Sequence, residues 1–183
     1  MINSLTHRII SSENLDRLKM EEAIQWANIC ISQGIVTDAI LILSTLTEKD
    51  GTREIRNYLG QSLNQLGIQF LKKEDCLKCY IKSYILEIIE DGKDETSLRE
   101  LYQIYWEFGE VRELRNFYLL YWANESWKHN HENKDCYIEG YSPDLLREKL
   151  HEFAKSWIAD NKIQYFNIDK IRVLTNRNHR HNL

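Results

Sequence analysis

Between Cys76 and Trp122 apolar side chains return every three or four positions in three successive runs, and that rhythm constrains the chain more than any other feature. Leu77, Tyr80, Ile81, Tyr84, Ile85 and Ile88 form the first stripe, the pattern of a helix with one face buried. Asp91 and Gly92 end it, because glycine takes the left-handed conformation that closes the open carbonyls of a last turn. Ser97 and Glu100 then have the spacing of a capping box, which predicts a helix start at Ser97. Leu98, Leu101, Tyr102, Tyr105 and Phe108 give that helix its stripe, and Gly109 stops it. Val111, Leu114, Tyr118, Tyr121 and Trp122 make a third stripe after a link so short that the two helices are expected to lie antiparallel.

The same period runs through the preceding residues. Ser11 and Ser12 offer N-cap hydroxyls ahead of Glu13, and Met20, Ala23, Ile24, Ala27, Cys30 and Ile31 recur at helical spacing up to Gly34, with Trp26 beside the stripe. Thr37 and Asp38 cap a short helix through Leu46; its apolar run from Ala39 to Leu43 also suits a buried strand, but no partner strand is evident. Asp50, Gly51 and Thr52 mark a turn before Ile55, Tyr58, Leu59, Ser62, Leu63 and Leu66, a stripe closed by Gly67. Residues 129–140 are polar and aperiodic, a loop. Ser142, Pro143 and Asp144 restart the helix with a hydroxyl cap, a proline and a carboxylate at the positive end of the dipole, and Leu146, Leu150, Phe153 and Trp157 hold its buried side. From Ile163 to Val173 neither period fits, which leaves a short helix or strand docked on the body.

One proline and seven glycines in 183 residues leave little material for the turns of a β fold. The expectation is all-α: about seven helices packed as stacked antiparallel hairpins in a single domain, 1–183, with a basic tail from about residue 175. A chain of this length hides about 70% of its extended surface on folding, enough for a core without metal or disulfides. The first ten residues lack the apolar core of a signal peptide, and the longest apolar run, Ala39 to Leu43, is far short of a membrane span. A cytoplasmic protein with reduced thiols follows, its helical cysteines acting as small hydrophobes.

Charge is unevenly spread. Residues 87–113 hold nine carboxylates (Glu87, Glu90, Asp91, Asp94, Glu95, Glu100, Glu107, Glu110 and Glu113) against Lys93, Arg99 and Arg112, while the whole chain is only −4. A solvated helix face accounts for most acidic surface. A negative face that steers a basic partner is the sharper reading, and it nominates Glu87, Glu90, Asp94, Glu95, Glu100, Glu107, Glu110 and Glu113, with Trp106 as an aromatic anchor. Among the aromatics, Tyr102, Tyr105, Phe108, Tyr118, Tyr121 and Trp122 are expected in the core by spacing, whereas Trp106 and Trp127 fall off the stripes and are the ones to look for at the surface. The tail is basic, with Lys162, Lys170, Arg172, Arg177 and Arg180 against Asp169, and His179 and His181 flank Arg180. Termini of this composition are usually disordered, and the acidic remainder argues against a nucleic-acid partner.

No motif is a self-sufficient catalytic set. Cys76 and Cys79 form a CxxC inside a helical stripe, without the βαβ context of a thioredoxin site; a zinc site would need His129, His131 or Cys136 from the polar loop. Two small core residues and a surface loop explain the same letters. Glu148 and His151 form one Glu-x-x-His, and a di-iron bundle needs two with two further glutamates. There is no Gly-rich phosphate loop and no GxSxG. The expectation is a protein that is not an enzyme, takes no cofactor or metal, does not bind membrane, and acts through a protein partner.

Two resemblances bear on this. Ala23, Trp26, Ala27, Gly34 and the run Leu41 to Leu46, then Tyr58, Leu63, Leu66 and Gly67, resemble the opening of a family of small helical bacterial proteins of uncharacterised chemistry; Tyr84, Ile88, Ile89, Gly92, Leu101, Tyr102 and Ile104 are similar to its second half. These are packing residues and helix stops, so they carry a fold. Some proteins of this kind are immunity partners of polymorphic or contact-dependent growth-inhibition toxins. The resemblance implies a cytoplasmic, non-enzymatic helical protein that covers a toxin's active site, and the basic cleft of a nuclease toxin would suit the acidic segment. Asn57 to Gly67, with Gly60 and Gly67 in fitting places, resembles the first helix of a tetratricopeptide unit, which would make the chain a helical adaptor or scaffold; the next helix is out of register and no second copy appears at a fixed period.

Overall fold

The computed structural model describes residues 2–129, 137–162 and 165–166. Its described residues form eight α-helices and no strand: α1 (Ile2–Ser12), α2 (Met20–Ser32), α3 (Asp38–Thr45), α4 (Thr52–Gln65), α5 (Lys73–Leu86), α6 (Asp94–Glu107), α7 (Arg115–Lys128) and α8 (Leu146–Asp160). The all-α expectation holds, with one helix more than the stripes predict. No helix among the described residues is long and apolar enough to cross a membrane. The chain packs as two compact units, residues 2–80 with 165–166, and residues 81–162; α5 contributes to both.

In the first unit the helix without a predicted counterpart is α1, although its apolar residues Ile2, Leu5, Ile9 and Ile10 fall at i, i+3, i+7 and i+8. Ile2, Leu5, Ile9 and Ile10 are buried, but so are Ser4, Thr6, His7, Arg8, Ser11 and Ser12, so the helix is enclosed on its polar side as well. Burial of those groups is tolerated because they are bonded. Thr6 Oγ1 donates to the Ile2 carbonyl at 2.7 Å and accepts from Trp26 Nε1 at 2.9 Å. Ser11 and Ser12 do not cap the helix that follows; they end α1, and their hydroxyls donate back to the carbonyls of His7 (2.7 Å) and Ile9 (3.1 Å). On α2 the buried stripe is Ala23, Trp26, Ala27 and Cys30, with Trp26 fully inside and Ile24 and Ile31 half-buried, a rotation from the predicted face. Thr37 does cap α3, accepting from the Ile40 N–H at 3.3 Å. Ile40 and Leu43 enter the core with Ile55, Leu59 and Leu63 of α4, while Leu41 and Ile42 face water. Tyr165 and Phe166 pack on the His7 ring, at 6.1 and 4.6 Å between centroids. The remainder of the stretch Ile163 to Val173, and the tail beyond it, lie outside the described residues.

The second unit is built on the predicted stripe of α5, with Ile81, Ile85 and Ile88 buried, and on α6, where Leu98, Leu101 and Tyr105 are buried as predicted, Ile104 joins them, and Tyr102 and Phe108 are only half-buried. After Leu86 the backbone widens into a π turn, Glu87–Asp91, closed by Gly92 at φ 64°. Helix α6 then starts at Asp94, earlier than a capping box at Ser97 would place it. Ser97 lies inside the helix and donates to Glu87 Oε2 at 3.2 Å, and Glu100 accepts from the Tyr84 hydroxyl at 3.3 Å. Leu114, just before α7, is buried as predicted, but the buried side of α7 itself is Phe117, Leu120 and Ala123, one position away from the rest of the predicted stripe, so Tyr118, Tyr121 and Trp122 are only half-buried. Three contacts fix the α6–α7 register as antiparallel: Tyr102 on Tyr121, Tyr105 on Tyr118, and Glu95 beside Lys128. Pro143 opens the turn before α8 as predicted, but it is the Ser142 carbonyl, not its hydroxyl, that accepts a bond, from Leu145 N–H at 2.9 Å. Leu146, Leu150, Ala154 and Trp157 form the inner side of α8.

Candidate functional site

The antiparallel register divides the acidic segment between two ends of the α6–α7 hairpin, about 20 Å apart for a helix of this length. At the α6 N-terminus the carboxylates have basic neighbours. Asp94 sits 3.6 Å from Arg147 Nε and 3.4 Å from His151 Nε2, both on α8, and Glu95 is 3.4 Å from Lys128 Nζ. Glu87 is not on the surface at all: it is 4% exposed, takes a 2.8 Å bond from Lys93 Nζ and a second from Ser97, and holds the π turn against α6. Glu100 is half-buried against Tyr84, and Glu90 is exposed.

At the other end Glu107, Glu110 and Glu113 are all exposed, alongside Arg112 and Arg115. Glu110 holds a left-handed backbone at φ 57°, directly after Gly109 at φ 80°, and the two reverse the chain between α6 and α7. Trp106, on the last turn of α6, is 48% exposed, the most open of the large apolar side chains. Its ring meets Tyr118 edge-on at 5.7 Å, and Tyr118 stacks on Tyr105 at 4.6 Å. Next along the hairpin Tyr102 stacks on Tyr121 at 4.1 Å and 16°, and Trp122 stands edge-on to both. Burial pushes the Tyr118 phenol above its ordinary pKa, with neighbouring Tyr105, Tyr102 and Tyr137 and the Glu110 carboxylate adding to the rise. Trp127, the other off-stripe tryptophan, is half-buried and donates to the Tyr141 carbonyl at 3.1 Å.

No family model matches the sequence, and no curated protein or solved structure is significantly similar to it.

The remaining motifs resolve into packing. Cys76 and Cys79 are buried, and their thiols donate to backbone carbonyls, Lys72 at 3.1 Å and His7 at 3.3 Å. Burial raises the Cys76 pKa, with Asp75 adding to it, which is the opposite of a reactive thiolate. No three His, Cys, Asp or Glu side chains converge on a metal-sized site among the described residues; His131 and Cys136 lie outside them, and His129 stands 3.7 Å from Glu125. Glu148 is exposed while His151 turns toward Asp94, so the Glu-x-x-His pair does not point to one centre. In the first unit an open groove of about 540 Å³ runs between α2 and the residues after α3, with Ile24, Ile29 and Leu46 as its apolar part and Glu21 and Glu48 at its edges. Helical periodicity does not announce this groove, because its lining comes from the half-buried flank of α2.

Proposed function

We propose that this chain is a protein-binding protein that neutralises a basic partner, an immunity-type protein whose target is a toxin domain with a cationic cleft, and that it is not an enzyme. The observation that supports this most is the tip of the α6–α7 hairpin, where exposed Trp106 stands beside exposed Glu107, Glu110 and Glu113. An aromatic anchor with a carboxylate rim is the composition of a docking surface, and the excess of acid around it speeds encounter with a positive one. At the tip itself three exposed carboxylates stand with two arginines, Arg112 and Arg115, and residues 87–113 as a whole hold nine carboxylates against three bases. Cytoplasmic location is part of this proposal, since the target would act there.

The test is to isolate the partner from the native cell with tagged full-length protein, identify it by mass spectrometry, and co-express the pair. A basic toxin domain whose growth inhibition is relieved by this chain supports the proposal; a partner that is acidic, or a toxin that is not neutralised, overturns it. A second reading, a helical adaptor, rests on the groove beside α2, whose volume is that of an ordinary ligand site. It prevails if Ile24→Arg abolishes binding of the partner and charge reversal at Glu107, Glu110 and Glu113 does not.

A further inference from the structure

The rings of the α6–α7 hairpin are more numerous at the surface than a charged docking face needs. Tyr102, Tyr118, Tyr121 and Trp122 each leave part of a ring open to water, and Trp106 leaves about half of its surface so. They are ordered against one another across the hairpin, Tyr105 on Tyr118 and Tyr102 on Tyr121, near-parallel at 21° and 16°. The two stacked pairs are one helical turn apart along α6, about 4.5 Å of rise.

Resting on the reading of this face as the docking surface for a basic partner, we propose that the ring row from Trp106 through Tyr118 to Tyr121 receives arginine side chains of that partner, and selects guanidinium over ammonium. A guanidinium is flat and weakly hydrated, so it lies on an aromatic face with little loss of solvation, and its fork pairs with a carboxylate at the same time. An ammonium must give up a tighter water shell to do either. Both components are in place at Tyr118, which the field of the exposed Glu110 carboxylate reaches; at Tyr121 the corresponding carboxylate, Glu125, is already paired with Lys128 Nζ at 3.1 Å. Arg99 and Lys128 also lie near Tyr121 and offset part of the negative field there, so the stronger arginine position is the Trp106–Tyr118 end.

The experiment is calorimetric titration of the full-length protein at low salt with two peptides of equal charge, hexa-arginine and hexa-lysine, for the wild type, Trp106→Leu and Glu110→Lys. Trp106 is exposed, so leucine there leaves the fold intact, which circular dichroism verifies. Hexa-arginine should bind about fivefold to tenfold more tightly than hexa-lysine; Trp106→Leu should remove most of that preference, and Glu110→Lys should weaken both peptides. Equal binding of the two peptides, or a preference untouched by Trp106→Leu, overturns arginine selection and leaves the acidic face standing. Failure of both peptides to bind overturns the acidic face as well. Self-association of the wild type that Trp106→Leu abolishes would assign the row to a second copy of this chain and overturn the proposal too.

Discussion

Glu87 and Glu107 carry the same side chain and opposite roles, and single substitutions should separate them. Glu87 is buried and accepts from Lys93 and Ser97, so Glu87→Ala leaves a buried Ser97 hydroxyl without that acceptor and should cost about 1–3 kcal/mol. Glu107 is exposed, and Glu107→Ala should stay within about 0.5 kcal/mol. Urea unfolding midpoints check both; equal costs would contradict the assignment. Both stand in one acidic run, but Glu87 follows buried Tyr84, Ser83 and Tyr80 by three, four and seven positions, on the inner side of the α5 stripe where the π turn begins. A second residue-scale consequence concerns alkali. Burial pushes the Cys30 thiol from 9.0 up to about 12, and the Tyr141 phenol from 10.0 to about 12. A group that keeps its proton longer when folded contributes stability that is full below its unfolded pKa and lost as pH rises toward the folded value. Stability should therefore fall between about pH 9 and 12, and Cys30→Ala should flatten the lower part of that fall in a series of thermal melts.

At the scale of elements, what was legible depended on whether a helix has a wet side. Helices α4 and α6 have one: the α4 stripe lies where the spacing puts it, the α6 stripe is turned enough to bury Ile104 and half-expose Tyr102, and both glycine stops, Gly67 and Gly109, are in place. Helix α1 has none: its serines, Thr6 and His7 are as buried as its isoleucines, so its four helically spaced apolar residues, Ile2, Leu5, Ile9 and Ile10, show the helix but not that its polar side is enclosed too. On α7 the tyrosines misled, because a half-buried phenol scores as apolar while Phe117 and Leu120 fill the interior. Trp106 was legible as a candidate anchor for the converse reason, being apolar and off its stripe. Gly92, which ends the π turn at φ 64°, has open space where a side chain would stand, so Gly92→Ala should cost about 1 kcal/mol through backbone strain alone. Chemical denaturation measures it; a neutral substitution would mean that the turn rearranges at no cost.

For the molecule as a whole, the two units pose separate questions. Residues 2–80 present a groove beside α2, and residues 81–162 present the charged and aromatic hairpin. Acidic composition motivates a basic partner but gives it no address, since three carboxylates of the run, Glu87, Glu95 and Asp94, lie against Lys93, Lys128 and Arg147 once the helices fold together. The surface proposed for a partner is the end that carries exposed Trp106. The measurement that tests this most directly is the association rate constant of the captured partner with wild-type protein and with the triple variant Glu107→Lys, Glu110→Lys, Glu113→Lys, across a salt series. The prediction is a rate at least about tenfold slower for the variant at low salt, converging with the wild type as salt screens the field, with an unfolding midpoint little changed. Equal association rates at low salt would contradict it.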